Sequence, residues 1–255
     1  MNHSGPYDFV LDTAAQVTTV DPTLASELHL KVLGVTGVTG AGFSTRASYA
    51  QLESVQAGAY ALKNQLLFIH NLGQIQVTDP RVRGILGENF LEHFDLFIDY
   101  AHGIVCLDEM KQMQEKIKGE RIALAAPPHS EQNLPFTQPL IVPVRVSGAG
   151  RLLLLQLDSG IDAPLLFDLG KLQPTVFASS PLHSRGTDGV VHAYTVLPPQ
   201  EIHVGLHSFQ QISFVAPVAP GKNVPDAGMD GVLPTALFRS IFISYTDHFA
   251  VLDPW

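Results

Sequence analysis

Two segments in different halves of the chain carry the same pattern. The first reads Phe9-Val10-Leu11-Asp12-Thr13-Ala14 and the second Leu155-Gln156-Leu157-Asp158-Ser159-Gly160. In each, an apolar run ends on an aspartate, followed by a hydroxyl residue and then a tiny one. A single aspartate at a strand end reads as a turn residue that caps its own backbone. Two copies in the same setting predict a duplicated half-site whose carboxylates meet at a pseudo-twofold axis.

The repeat continues downstream. Gly84-Ile85-Leu86-Gly87 corresponds to Gly231-Val232-Leu233-Pro234, and Phe97-Ile98-Asp99-Tyr100 to Phe242-Ile243-Ser244-Tyr245. The offset is 146 at the aspartates, 147 at Ile85 and Val232, and 145 at the tyrosines, so small insertions and deletions account for the drift. A shared offset across three separated segments points to an internal repeat, which governs every further fold assignment.

With 45% hydrophobic residues over 255 positions, the chain can bury a sizeable core. It has 21 glycines and 18 prolines, and only 15% of its residues are charged, a balance that fits short strands joined by many turns. The net charge of −9 with no basic cluster argues against a nucleic-acid partner. No run reaches the ~18 apolar residues of a membrane span. The one cysteine, Cys106, lies in the strand-like run Ile104 to Leu107 and reads as a buried, inert thiol. His203 and His207 stand four apart, but Gly205 and strand-like surroundings speak against a metal-binding helix. No Gly-x-Ser-x-Gly elbow surrounds Ser159, and no glycine-rich loop carries the lysine that phosphate binding needs. No cofactor and no metal are expected.

Strands are predicted at 8–11, 28–33, 45–57, 59–69, 74–77, 94–99 and 103–107, with a helical turn opening at Phe90. Residues 108–118 predict a helix with Asp108 as N-cap and Gly119 at its stop. The Pro-rich stretch after Ala125 predicts a linker at 127–139 between an N-terminal lobe, 1–126, and a C-terminal lobe, 140–255. In the second half, residues 140–146 and 151–157 form a hairpin pattern around Ser147-Gly148-Ala149-Gly150. The first half shows the matching turn at Ser4-Gly5-Pro6 and the second strand at Phe9–Leu11, so its partner strand is expected before Met1, and the numbered chain then represents a shortened or processed form. There is no apolar leader at the N-terminus. The compartment stays open: periplasmic or secreted with a leader removed upstream, otherwise cytoplasmic.

Both halves resemble the pepsin-like and retropepsin-like aspartic protease superfamily, whose signature is two hydrophobics, Asp, Thr or Ser, then Gly, with a later hydrophobic-hydrophobic-Gly. Val10-Leu11-Asp12-Thr13-Ala14 with Ile85-Leu86-Gly87 match one lobe. Gln156-Leu157-Asp158-Ser159-Gly160 with Val232-Leu233-Pro234 match the other. The stretch Gly84 to Leu91 is similar to bacterial retropepsin-like domains. The resemblance implies an all-β, bilobal pepsin-like fold with two pseudo-twofold-related β-barrel-like lobes and few short helices.

It also implies a function. Asp12 and Asp158 would form a dyad at the floor of a cleft, with Thr13, Ala14, Ser159 and Gly160 supporting them. Two close carboxylates share one proton and titrate as a unit. The ionised one takes a proton from water while the other protonates the substrate carbonyl, which is general acid-base hydrolysis of a peptide bond. The substrate would be an extended peptide or protein segment under a hairpin flap at Thr36, Gly37, Val38, Thr39 and Gly40, whose glycines permit a tight tip. The corresponding stretch from Pro181 to Gly189 lacks a hairpin pattern, so one flap is expected. Since one chain supplies both half-sites, a monomer is expected, where retroviral-type enzymes need a homodimer. Three departures stand out: Ala14 and Pro234 replace glycines, and Gln156 replaces a hydrophobic. They favour the rival reading, a peptide-binding relative whose dyad geometry has lapsed. A third reading is a structural β protein with a filled cleft.

Overall fold

The computed structural model describes residues 1–40, 43–109, 111–125, 139–172, 182–185, 191–218 and 228–255. In the first half the elements are β1 (Asp8–Leu11), β2 (Thr19–Val20), α1 (Pro22–Glu27), β3 (Val32–Gly40), β4 (Phe43–Ala57), β5 (Tyr60–Ile69), α2 (Gly73–Thr78), β6 (Val82–Leu86), α3 (Glu88–Leu91), β7 (Asp95–Asp99) and β8 (Ile104–Asp108). Helix α1 starts where Asp21 accepts from the amides of Thr23 and Leu24, with Pro22 in the first turn, where a missing N–H costs nothing. The segment at 74–77 is helical rather than extended. The strand expected at 28–33 begins later, at Val32.

Then follow α4 (Gln112–Lys116), β9 (Ile122–Ala123), β10 (Ile141–Val146), β11 (Leu153–Asp158), β12 (Leu165–Leu166), β13 (Leu182–Arg185), β14 (Val191–Val196), β15 (Gln200–Val204), β16 (His207–Ile212), β17 (Val215–Pro217), β18 (Gly231–Pro234), β19 (Ser240–Ser244) and β20 (Phe249–Asp253). Helix α4 is shorter than predicted and its N-cap is Lys111, not Asp108, which ends β8 and accepts from the amide of Met113. The predicted linker at 127–139 lies, apart from Pro139, outside the described residues.

The strands build three sheets. Six strands run β1-β6-β2-β5-β4-β3, nine run β13-β14-β17-β12-β18-β11-β10-β15-β16, and five run β8-β7-β19-β20-β9. The first six-strand order and the run β11-β18-β12-β17-β14-β13 pass through the same series of parallel and antiparallel neighbours.

The all-β content agrees with expectation; the barrel-like lobes do not. Each sheet is open, and the first sheet ends on β1 and β3 without pairing them. The apolar faces are covered in another way. The five-stranded sheet takes strands from both halves, with β7 pairing β19 from Asp99↔Ser240 to Asp95↔Ser244. Leu96 and Ile98 from β7, Ile241 and Ile243 from β19, and Val142 and Val144 from β10 enter one continuous buried cluster. A sheet packed on a neighbouring layer buries its face without closing on itself.

Candidate active site

Each predicted aspartate stands at the end of a strand whose parallel neighbour is the downstream motif of the same half. β1 pairs β6 through Phe9↔Gly84, Val10↔Ile85 and Leu11↔Leu86, and the Asp12 amide donates to the Leu86 carbonyl at 3.0 Å. β11 pairs β18 through Leu157↔Leu233 and Asp158↔Pro234. The glycines of these motifs are spatial requirements. A Cβ on Gly87 would lie 2.5 Å from the Ala15 carbonyl oxygen, and one on Gly231 would strike the Leu165 carbonyl. Pro234 fits its place because φ there is −59°, the angle its ring imposes.

The two aspartate loops are bonded to each other across the halves. The Thr13 hydroxyl donates to the Leu157 carbonyl at 2.9 Å and accepts from the Ser159 amide at 3.1 Å. Reciprocally, the Ser159 hydroxyl donates to the Leu11 carbonyl at 2.8 Å and accepts from the Thr13 amide at 3.1 Å. Thr13 is fully buried. These four bonds hold the last residues of β1 and β11 back to back, so the neighbouring aspartates inherit a fixed relation.

The carboxylates are held differently. Asp12 Oδ1 accepts from the amides of Ala14 at 2.8 Å and Ala15 at 3.0 Å. Asp158 Oδ1 accepts from the Gly160 amide at 2.7 Å. Burial raises the pKa of both. Asp158 is pushed up to about 7, by burial first and then by the charge of Asp12, against the Gly160 N–H. Asp12 is raised by burial, with the two alanine amides opposing. Gly160 lies against the Asp12 carboxylate: a Cβ there would sit 2.7 Å from Oδ2. Ala14, its counterpart in the other half, has an ordinary negative φ and needs no glycine.

The residues 36–40 lie on β3 of the β3–β4 hairpin, in register from Thr36↔Ala47 and Gly37↔Arg46 to Val38↔Thr45, Thr39↔Ser44 and Gly40↔Phe43. Val38 and Tyr49 pack on Val17, Ala47 and Phe68. Val17 follows the Asp12 loop directly, so the hairpin rests on the segment that carries the carboxylate. The second half differs from expectation. β13 and β14 form an antiparallel hairpin with Leu182↔Tyr194 and Arg185↔Val191 in register, although Pro181 and residues 186–189 lie outside the described residues. No alternating pattern marked it because β13 is only four residues long.

Two tyrosines that the sequence offered only as marks of the repeat approach the site. The Tyr100 hydroxyl bonds to that of Thr235, beside Pro234, and its pKa is raised by burial, with a smaller push from Asp158. Tyr245 is buried and its hydroxyl has no hydrogen-bond partner among the described residues; burial, then Glu88, Glu92 and Asp12, drive its pKa upward. Nothing in the linear pattern distinguishes such a residue from core. Among the described residues no cluster of His, Cys, Asp and Glu could hold a metal ion. His203 and His207 stand on the β15–β16 hairpin, where His203 approaches Glu201 at 3.3 Å. No helix among the described residues is long and apolar enough to cross a membrane.

No curated protein matches the chain. Residues 1–90, which include the Asp12 loop, the β3–β4 hairpin and the Gly84–Gly87 motif, match the model of the aspartyl protease family and are consistent with membership of that superfamily.

Proposed function

We propose that the chain is an aspartic endopeptidase in which Asp12 and Asp158, one from each of two duplicated half-sites, activate a water between them. The observation that carries the reading is the reciprocal Thr13–Ser159 exchange, because it fixes the relation of two carboxylates that burial shifts upward, Asp158 being pushed further by the charge of Asp12. Like charges at close quarters disfavour the second ionisation, so the pair keeps one proton over a wide range. Two amide donors favour charge on Asp12, while burial favours the proton on Asp158. Asp12 then takes a proton from water as the water attacks, and Asp158 protonates the substrate carbonyl. No covalent intermediate forms. The lobes on this reading are 1–126 and 140–255, and the β3–β4 hairpin covers an extended peptide whose backbone pairs with its strands. The partial family match supports hydrolase chemistry of this kind.

The rival reading, peptide binding without cleavage, draws on Ala14, which breaks the symmetry of the two half-sites. One experiment separates them. The protein is incubated with a diverse peptide library from about pH 3 to about pH 8, beside Asp12→Asn and Asp158→Asn, and products are identified by mass spectrometry. Cleavage by the parent that is lost in both variants is expected. A folded parent that retains peptides and cuts none of them supports binding alone.

A further inference from the structure

Beyond the aspartate motifs, one backbone bond recurs in both halves. The Phe68 amide donates to the Thr18 carbonyl at 2.9 Å, and the Val215 amide donates to the Pro164 carbonyl at 2.8 Å. Thr18 and Pro164 each stand six residues after their aspartate. Asn89 and Ala236 each stand two residues after the corresponding Gly87 and Pro234. The two halves thus carry different residues at three matched positions: Thr18 against Pro164, Gly87 against Pro234 and Asn89 against Ala236.

In the first half these three residues form a brace. Asn89 Oδ1 accepts from the Thr18 amide at 2.7 Å and from the Thr18 hydroxyl at 2.9 Å, and Asn89 Nδ2 donates to the Leu66 carbonyl at 2.9 Å. The Thr18 hydroxyl in turn accepts from the Gly87 amide at 3.1 Å. The start of α3 completes it: the Glu88 amide donates to the Ala15 carbonyl at 2.7 Å, and the Asn89 amide to the Gln16 carbonyl at 3.2 Å. The Ala15 amide is thereby aimed at Asp12 Oδ1, 3.0 Å away. In the second half the side-chain bonds of this brace cannot form. Pro164 has neither N–H nor hydroxyl, Pro234 has no N–H, and the Ala236 side chain has no acceptor. Among the described residues, no amide of Thr235 or Ala236 reaches Ile161 or Asp162. Asp158 Oδ1 accepts from the Gly160 amide, but not from that of Ile161, the counterpart of Ala15.

We propose, resting on the aspartic endopeptidase reading, that Asn89 is a positioning residue which acts through Thr18 and Ala15 to hold the negative charge on Asp12 and so make it the base, while the missing counterpart leaves Asp158 as the acid. An ionised carboxylate gains from each N–H aimed at it, so a second amide on one member of a proton-sharing pair decides where the charge settles. An unbraced Ala15 peptide is free to turn that N–H toward water; the brace removes the freedom. The ionisable groups around Asp12 are Asp158 and, just beyond β19, Tyr245, which also feels Glu88 and Glu92. Neither Thr18 nor Asn89 ionises, so substituting them leaves those groups in place.

The test follows the carboxyl carbon-13 resonances of Asp12 and Asp158 from about pH 3 to about pH 9, with kcat/KM over the same range, in the parent, Asn89→Ala, Thr18→Val and Thr18→Ser. In the parent, Asp12 is expected to ionise at the lower pH. In Asn89→Ala and Thr18→Val its midpoint should rise by about one pH unit, about a tenfold loss of preference for the charged form, and the acid limb of kcat/KM should move with it. Thr18→Ser keeps the hydroxyl and should keep the parent midpoint. Where Asn89→Ala fails to fold, Thr18→Val against Thr18→Ser decides. A brace that only held the fold together would lower Tm and leave the midpoints unmoved. That result overturns the proposal, as does an equal rise in Thr18→Ser or a parent in which Asp158 ionises first. The resonances report on the carboxyls whether or not peptides are cut. A parent that cleaves nothing, yet shows the expected midpoints and their rise, supports the brace and counts against the peptidase reading alone.

Discussion

Gly160 carries no side chain because the Asp12 carboxylate stands where one would be. On the proposed mechanism, Gly160→Ala displaces the base and should lower kcat at least about tenfold with little change in KM, as steady-state kinetics would show. Ser159→Ala removes two bonds of the cross-half exchange and leaves the Leu11 carbonyl and Thr13 amide without that partner. A loss of about 1–3 kcal/mol in urea unfolding is expected. Asp158 gives a pH signature of definite sign. Its pKa rises from 3.8 unfolded to about 7 folded, so the native state holds a proton that the unfolded chain has released. Between those values stability falls as pH rises, and above them the full cost remains. Asp158→Asn should flatten that window and stabilise the protein at pH 8 by on the order of 3 kcal/mol, measured by denaturant titration. Peptidase activity should fade as pH climbs past about 7, where the shared proton is lost.

At the scale of elements, glycine divides into two kinds. On β18, Gly231 meets the Leu165 backbone, which cannot swing aside. Gly231→Ala should cost about 1–3 kcal/mol through overpacking. On β3, a Cβ added to Gly37 would meet nothing within 4 Å. Gly37→Ala should leave the urea-derived stability within about 0.5 kcal/mol of the parent, since an exposed strand position tolerates a side chain. The recurrence of each downstream motif at a nearly constant distance from its aspartate was legible in the sequence; that Val82–Leu86 is a strand, and that β6 and β18 run parallel beside β1 and β11, was not, because no strand was expected at 82–86 and a motif spacing does not fix which edges pair. The helix α2 was not legible either: Gly73–Thr78 carries Ile75 and Val77, which favour strand, yet it forms one short turn closed by the bond from Gln76 to Leu72. A local pattern that short cannot outweigh its tertiary setting.

For the whole molecule, the proposed half-sites lie in one chain, so specific activity should not change with protein concentration over a hundredfold dilution. A fall on dilution would point to assembly of the site between chains. The pair that exchanges hydrogen bonds across the halves, Thr13 with Ser159, could be named from the sequence because duplication places the same short motif on two strand ends, and hydroxyl beside carboxylate is a local property. Sheet closure, the second hairpin at β13–β14, the approach of Tyr100 to Thr235 and the asymmetric seat of Asp12 against Gly160 belong to the tertiary structure. Each depends on which strand edges find partners and on contacts more than a hundred residues apart or across short strands. Hydrophobic patterning tells a strand which face to bury, and leaves open which neighbour buries it.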